Sequence, residues 1–366
     1  MKIVVTGTRG IPEIQGGVET HCEELYPRLV NLGCEVLLIR RSCYVKNNIK
    51  SYRGIELKDL YAPKQKGLEA FLHTFLSVFY AKKVKVDILH IHAIGPSIMT
   101  PLARLLGLKV VVTHHGQDYN RQKWGKFAKM VLKTGEYLSA KYANELIVIS
   151  EEINSVIKQK YKRFDANLIY NGVNIPVKSN DTAYIQSLGL APQKYIFTLG
   201  RFVEEKGFHG LIEAFTKLSN KEYQLVIAGD ADHPDMYSEK LKQSAKENNV
   251  ILAGFVKGEK LNELFSNAKL FVLPSFHEGL PISLLEAMSY DVEALVSDIP
   301  ANLEVNLPRE YYFQCGNWDD LRNRIEKKIC KSEHIKYDLS RYDWDRIAED
   351  TVAVYRRLMD DSHQAQ

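Results

Sequence analysis

In Tyr195-Ile196-Phe197-Thr198-Leu199-Gly200-Arg201-Phe202-Val203-Glu204-Glu205-Lys206-Gly207 an apolar strand runs out into a turn that carries two cations. Arg201 and Lys206 stand five apart, with Gly200 and Gly207 beside them. A second strand, over 270–273, leads into Glu278-Gly279-Leu280-Pro281-Ile282-Ser283-Leu284-Leu285-Glu286, which supplies two carboxylates. Pro281 suits a first helical turn, and the residues to Met288 continue as a helix whose N-terminus faces the strand ends. In an open parallel sheet, ligands bind in the crevice outside the carboxyl ends of the strands. Two cations suit a diphosphate, and a carboxylate suits the adjacent hydroxyls of a ribose. Together they describe a site for a nucleotide sugar. Eight residues of helix span ~12 Å. If both carboxylates touch one ligand, Glu278 must lie on the loop before the helix, at the sugar or phosphate end, with Glu286 at the ribose.

Outward from these motifs, short apolar strands alternate with helical patterns. The first half predicts strands over 2–6, 35–39, 88–92, 109–113 and 146–149. The second predicts 195–199, 224–228, 250–253, 270–273 and 294–297. These runs are continuous in Val, Ile and Leu, so both faces must be covered by helices, as in parallel sheets. The expected fold is α/β: two Rossmann-like doubly wound domains facing across a cleft. A polar stretch with Pro176, Gly189 and Pro192 places the boundary near residues 172–192. The expected units are 1–175, 190–340, and a C-terminal helix with tail over 341–366 that packs back toward the first domain. The amphipathic part of that helix covers about 344–359, and a polar, frayed tail is expected over 360–366.

The 366 residues are long for one domain and comfortable for two. With 26% charged and 45% hydrophobic residues, the composition is that of an ordinary soluble globular protein. A net charge of +4 does not call for nucleic acid, and none is expected as a partner. Five cysteines, an odd number with no Cys-x-x-Cys pair, suit reduced thiols in a cytoplasmic protein. The N-terminus enters a strand directly, so no signal peptide is expected. No apolar run approaches the ~20 residues that span a bilayer.

After the first strand comes Gly7-Thr8-Arg9-Gly10-Ile11-Pro12-Glu13-Ile14-Gln15-Gly16-Gly17-Val18-Glu19-Thr20. A helix to about Leu32 follows, with Val18, Cys22, Leu25, Leu29 and Leu32 on one stripe, Pro27 inside it and Gly33 as a stop. The glycines let backbone N–H groups approach a ligand, and the helix start favours an anion; a plain strand–helix turn is the competing reading. The spacing is not Gly-x-Gly-x-x-Gly, and Arg40-Arg41 stands where a nicotinamide fold places an acid, which argues against an oxidoreductase. His114 and His115 close a strand and point to opposite faces. His115, with Gly116 leaving room beside it, is expected to enter the cleft. His90 and His92 share a strand face and read as packing, not as a metal pair. Asp230-Ala231-Asp232 reads as a turn with capping side chains, because Arg201 and Lys206 already neutralise a diphosphate.

On these motifs the chain resembles the GT-B glycosyltransferases, specifically glycosyltransferase family 4, over nearly its whole length. Its opening Gly-Thr-Arg-Gly-Ile-Pro…Gly-Gly-Val-Glu-Thr is similar to a bacterial branch that includes rhamnosyltransferases of capsule and cell-wall polysaccharide assembly. The resemblance implies retaining transfer from a nucleotide-sugar donor to a glycan or lipid-linked acceptor, with no metal and no cofactor. By it, Gly200 belongs to the donor-binding set, Arg201 and Lys206 hold the diphosphate and take up charge on the leaving group, and Glu286 binds the ribose diol. Glu278 touches the donor sugar with the N–H groups of Gly279 and Leu280, and His115 hydrogen-bonds the sugar at the reacting centre. Gly16 and Gly17 face the phosphate or the acceptor, and Asn171-Gly172-Val173 leads into the hinge. The family reading is front-side attack, the donor's own phosphate taking the acceptor proton; Asp118 is the first-half carboxylate to test as a nucleophile. The family usually has glycine and then proline where Asp291 and Glu293 stand here. A nucleotide-sugar epimerase of related fold and a non-catalytic nucleotide-sugar-binding subunit are the competing functions.

Two segments mix apolar and basic residues. One holds Lys64, Lys66, Lys82, Lys83 and Lys85 around Phe71, Leu72, Phe75, Leu76 and Phe79. The other holds Arg121, Lys123, Lys126, Lys129, Lys133 and Lys141 around Trp124, Phe127, Met130, Val131 and Leu132. Either suits peripheral docking on an anionic bilayer, and a core-facing helix with a solvated lysine face is the competing reading.

Overall fold

The computed structural model describes residues 1–45, 47–65, 68–120, 125–232, 234–331 and 335–364. Lys66, Arg121, Lys123, Trp124 and the last two tail residues lie outside them. The chain divides into two compact units, Met1–Gly172 with Tyr342–Gln366, and Val173–Arg341.

The first unit is built on β1 (Lys2–Thr6), β2 (Glu35–Arg41), β3 (Ser51–Tyr52), β4 (Ile55–Leu60), β5 (Ile88–His92), β6 (Val110–His114), β7 (Glu145–Val148) and β8 (Asn167–Leu168). Their order is β3-β4-β2-β1-β5-β6-β7-β8, parallel except for the β3–β4 hairpin. Helices α1 (Gly17–Asn31), α2 (Leu68–Lys83), α3 (Thr100–Leu105), α4 (Lys126–Tyr142) and α5 (Glu151–Tyr161) accompany the sheet. The predicted strands all form, with ends shifted by one or two residues. Neither the hairpin nor β4 was expected. β4 alternates apolar and polar residues and buries Ile55 and Leu57 at the side of the sheet. Beside it Arg40 is fully buried and ion-paired with Asp59 at 2.7 Å, while Arg41 pairs with Glu69 at 3.3 Å.

Helix α1 buries Cys22, Leu25 and Leu29, as its stripe predicts, and contains Pro27. Leu32 departs from the stripe and is exposed, because the helix has ended at Asn31 and Gly33 turns away with φ 86°.

The second unit holds β9 (Tyr195–Leu199), β10 (Gln224–Ala228), β11 (Ile251–Gly254), β12 (Leu270–Leu273), β13 (Ala294–Ser297) and β14 (Tyr312–Phe313). The order β11-β10-β9-β12-β13-β14 is parallel throughout, so the order reverses between β9 and β12, the switch point where such sheets take ligands. Its helices are α6 (Ala183–Ser187), α7 (Phe208–Thr216), α8 (Met236–Glu247), α9 (Gly258–Ser266), α10 (Ile282–Ser289), α11 (Pro300–Leu303) and α12 (Trp318–Ile329). Asp291, standing where the resemblance expects glycine, has φ 53° and pairs with Lys178 at 2.8 Å. Glu293, standing for proline, is buried against Lys328 at 2.6 Å.

The final helix, α13 (Trp344–Gln364), belongs to the first unit. Trp344, Ile347, Ala348, Val352, Tyr355 and Leu358 enter the same core as Ile3, Leu25 and Leu38. The expected frayed tail is instead a continuation of this helix as far as Gln364. Among the described residues, no helix is long and apolar enough to cross a membrane.

Candidate active site

In the second unit β9 delivers Gly200 to the switch point. A Cβ on Gly200 would press to 3.3 Å from Lys206 Cε, so the glycine makes room for the lysine stem. Glu204–Lys206 forms one 3₁₀ turn, and Gly207 follows with φ 67° at the start of α7. A side chain on Gly207 would run into the carbonyl of Pro274, and Phe276 N–H donates to Glu205 O at 2.8 Å. The turn after β9 is thus locked to the loop after β12.

That locking joins the two motifs. Lys206 Nζ lies 2.6 Å from Glu278 Oε1, with both side chains largely buried. Ser275 Oγ donates to the same oxygen at 2.6 Å. Burial alone would raise the Glu278 pKa, but the Lys206 charge and these hydrogen bonds hold it below the usual carboxylate range. Arg201 Nη1 contacts Asp232 Oδ2 at 3.1 Å. Asp232, expected only to cap the turn, instead meets the cation expected to hold the diphosphate. Asp230 does cap, accepting from the N–H of Ala231 at 2.8 Å.

Glu278 and Gly279 lie on the loop before α10, and Leu280 is buried. Pro281 precedes the helix instead of entering its first turn, and no described side chain caps that turn. Glu286 is partly buried on α10. Burial, and then the Glu286 charge, push the Tyr290 hydroxyl up to about 12.

In the first unit the corresponding switch point lies between β1 and β5. Gly16 caps α1, and a Cβ there would run into the Glu19 carboxylate. Glu19 is buried and accepts from Thr8 Oγ1 at 3.1 Å and from Arg9 N–H at 3.0 Å. The helix start read as an anion site therefore already has a carboxylate beneath it. Gly17 is on the open side, with nothing within 4 Å of its Cβ position.

His114 and His115 do part to opposite faces. His114 is buried and meets Glu136 at 3.0 Å. His115 is partly buried and turns onto His92, Nε2 to Nδ1 at 2.8 Å. The contacts continue inward from His92 Nε2 to Tyr26 OH at 2.5 Å, to His90 Nδ1 at 2.9 Å, and from His90 Nε2 to Thr113 Oγ1 at 2.7 Å. Tyr355 OH from α13 also meets His90 Nδ1, at 2.6 Å. His21 was not singled out in the sequence. It packs edge-on to His115 with ring centroids 4.9 Å apart and holds Asn171 at 2.9 Å. Burial holds these imidazoles neutral: the pKa of His21 falls to about 4 and that of His90 to about 3. Those of His92 and His115 fall well below normal, burial first and neighbouring histidines second.

Nitrogens of His21, His92 and His115 lie within 4.8 Å of one another, a spacing that could hold a metal ion. His21 Nε2 is buried with no hydrogen-bond partner among the described residues. His92 and His115, however, already hydrogen-bond each other, and their array is continuous with the protein core.

Comparison with known proteins joins these features to a family. Residues 15–176 match the model described as Glycosyltransferase Family 4, and residues 180–338 match Glycosyl transferases group 1. An uncharacterized glycosyltransferase of Methanocaldococcus jannaschii is 26% identical, over 98% of this chain and 99% of that protein. The Escherichia coli UDP-Gal:alpha-D-GlcNAc-diphosphoundecaprenol alpha-1,3-galactosyltransferase is 30% identical, over 60% of each chain. Among solved structures, sucrose-phosphate synthase from Thermosynechococcus elongatus aligns with TM-score 0.84 at 19% identity, covering 98% of this chain and 99% of that one. HepE of Anabaena, in complex with UDP-glucose, aligns with TM-score 0.74 at 18% identity over the whole of both chains. Two parallel α/β units, each matched by its own half of the family, establish that the chain is a GT-B glycosyltransferase of the family 4 type.

Proposed function

We propose that this enzyme moves a sugar, with retention and without a metal ion, from a nucleoside diphosphate sugar to a glycan or lipid-linked acceptor of surface polysaccharide synthesis. It would act in the cytoplasm, peripherally at the inner face of the plasma membrane. The observation that carries the donor site is the Lys206–Glu278 pair, held at the β9–β12 switch point with Arg201 on the same turn. A glycosyl diphosphate departs only if charge growing on the phosphate is met by preorganised cations. Lys206 has three N–H donors, so it can serve a phosphate oxygen while keeping Glu278. Glu278, kept ionised, accepts from a sugar hydroxyl, Gly279 and Leu280 offer N–H groups, and Glu286 on α10 takes the ribose diol. HepE has been seen with UDP-glucose, and the E. coli relative is named for a UDP-Gal donor and a diphosphoundecaprenol acceptor; these support the donor and acceptor classes.

In the first unit His115 presents a neutral imidazole that hydrogen-bonds the sugar, and Gly17 leaves room for the phosphate or the acceptor. The retained configuration is assigned to front-side attack, the departing phosphate taking the acceptor proton. Two cations neutralise the diphosphate, so turnover is expected to survive dialysis against EDTA. The deciding experiment is a thermal-shift panel with UDP, GDP, dTDP, ADP and NAD on wild type and Glu286→Ala. A ligand at 100 times its Kd stabilises by about 2.7 kcal/mol. A shift with one nucleoside diphosphate, lost in Glu286→Ala, is the expected result; a shift with NAD alone overturns the reading.

A further inference from the structure

Two helices of the first unit are built inside out. On α2 the buried positions are Glu69, His73, Thr74, Ser77, Val78 and Ala81, largely polar or small. Phe71, Phe75 and Phe79, spaced four apart along one stripe, are 45%, 37% and 45% exposed. On α4 the buried positions are Gly135, Glu136, Ser139 and Ala140, whereas Phe127 and Met130 are 74% and 57% exposed. A helix that covers a core in water shows the opposite sidedness.

The inner faces are already committed. Glu69 meets Arg41. Glu136 takes His114, Lys160 at 2.8 Å and Tyr161 at 2.5 Å. Gly135 sits where any side chain would collide with the carbonyl of Ile94. Both helices pack on the Pro96–Met99 turn, which makes them neighbours in the fold. Lys126, Lys129 and Lys133 line a groove of about 500 Å³ on α4 with Met130, Thr134 and Tyr137. Lys133 also lies over the Tyr119 ring at 5.4 Å.

We propose that the α2–α4 face docks on an anionic phospholipid bilayer, its aromatic and methionine side chains entering the headgroup–acyl boundary and its lysines meeting lipid phosphates. The inference rests on the glycosyltransferase reading above and deepens it, naming the surface by which the enzyme meets a lipid-linked acceptor. Large apolar side chains framed by lysines suit a surface that is apolar beneath an anionic layer. A second copy of this chain fits worse, because a two-fold contact sets the same patch on both partners and so brings lysines against lysines.

The test is co-sedimentation of the full chain with phosphatidylglycerol–phosphatidylcholine vesicles and with phosphatidylcholine alone. Wild type should bind the anionic vesicles at low salt and release as salt shortens the screening length. Each lysine near such a surface is worth roughly fivefold in partitioning, so Lys126→Glu/Lys129→Glu/Lys133→Glu should lose about a hundredfold or more. Phe71→Ser/Phe75→Ser/Phe79→Ser should lose binding even at low salt. No binding by wild type, or binding by both variants equal to that of wild type, overturns the proposal. So does a wild-type dimer that the phenylalanine variant dissolves, which would assign the face to a second copy. Nucleoside diphosphate thermal shifts on the same proteins separate the two claims. A retained shift with lost vesicle binding leaves the donor site standing and shows that the variants fold. Vesicle binding by a wild type that takes no nucleotide sinks the donor site and leaves this face intact.

Discussion

Lys206 and Glu278 are 72 positions apart in the chain and 2.6 Å apart in the fold. Removing one partner of a buried pair leaves an uncompensated charge and typically costs about 3–5 kcal/mol. Lys206→Ala should therefore lower the Tm of the second unit as well as turnover, the latter by at least ~100-fold as for a lost transition-state contact. Glu278→Gln, which keeps shape and leaves the exposable cation, should cost less stability. Equal Tm in wild type and Lys206→Ala would show that the pair does not hold the loop. Arg201, Lys206, Glu278 and Glu286 could be picked out in the sequence because each sits at a fixed offset from an apolar strand or on a helix start. Their pairing could not, since contact across so many residues has no local signature. His21 escaped for a related reason: it lies within a helix whose readable signal is the Cys22, Leu25 and Leu29 stripe, and its partners His92, His115 and Asn171 come from other elements.

Among the elements, continuous Val/Ile/Leu strands were the most legible, because burial on both faces leaves them a plain apolar run. β4 was missed because only one of its faces is fully buried, and β8 and β14 because two residues carry no pattern. The inverted helices show the limit of periodicity, which finds an amphipathic helix without saying which side the core takes. The turn from Glu204 to Gly207 is where element geometry bears on chemistry. Gly207 has φ 67°, a region that costs other residues roughly 1–2 kcal/mol, and its missing side chain admits the Pro274 carbonyl. Gly207→Ala should destabilise by at least about 2 kcal/mol and push Lys206 away from Glu278. Calorimetry together with nucleotide titration checks this: weaker nucleotide binding at temperatures where the fold persists is expected, and unchanged affinity would separate the turn from the site.

For the molecule as a whole, histidines whose pKa is depressed by burial are unevenly shared. Among the described residues the first unit holds His21, His73, His90, His92 and His115, all with depressed pKa values, whereas in the second unit the exposed His209 is lowered. A group that binds protons more weakly when folded stabilises the fold above its unfolded pKa, near 6.5, and loses that contribution as pH falls toward the folded value. For His21, with a folded value of about 4, this is roughly 3 kcal/mol between pH 6.5 and 4. Glu136, lowered to about 2 by His114, Lys160 and Tyr161 against the opposing effect of burial, adds a second loss below about pH 4.5. Melting at pH 7.5 and pH 5 should show the first unit giving way earlier at the lower pH, and a pH-independent order of melting would contradict the assignment.

The return of α13 to the first unit also sets a timetable for synthesis. When residue 172 has been made, the core around Ile3, Leu25 and Leu38 still lacks Ile347, Val352 and Tyr355. The ribosome must first build the entire second unit, which at about 5–20 residues per second takes on the order of ten to forty seconds. During that interval the nascent first unit displays an unfilled apolar surface while the second can fold complete. A chain cut short before Trp344 would keep that surface open permanently, which makes prematurely ended products natural clients for chaperones and proteases.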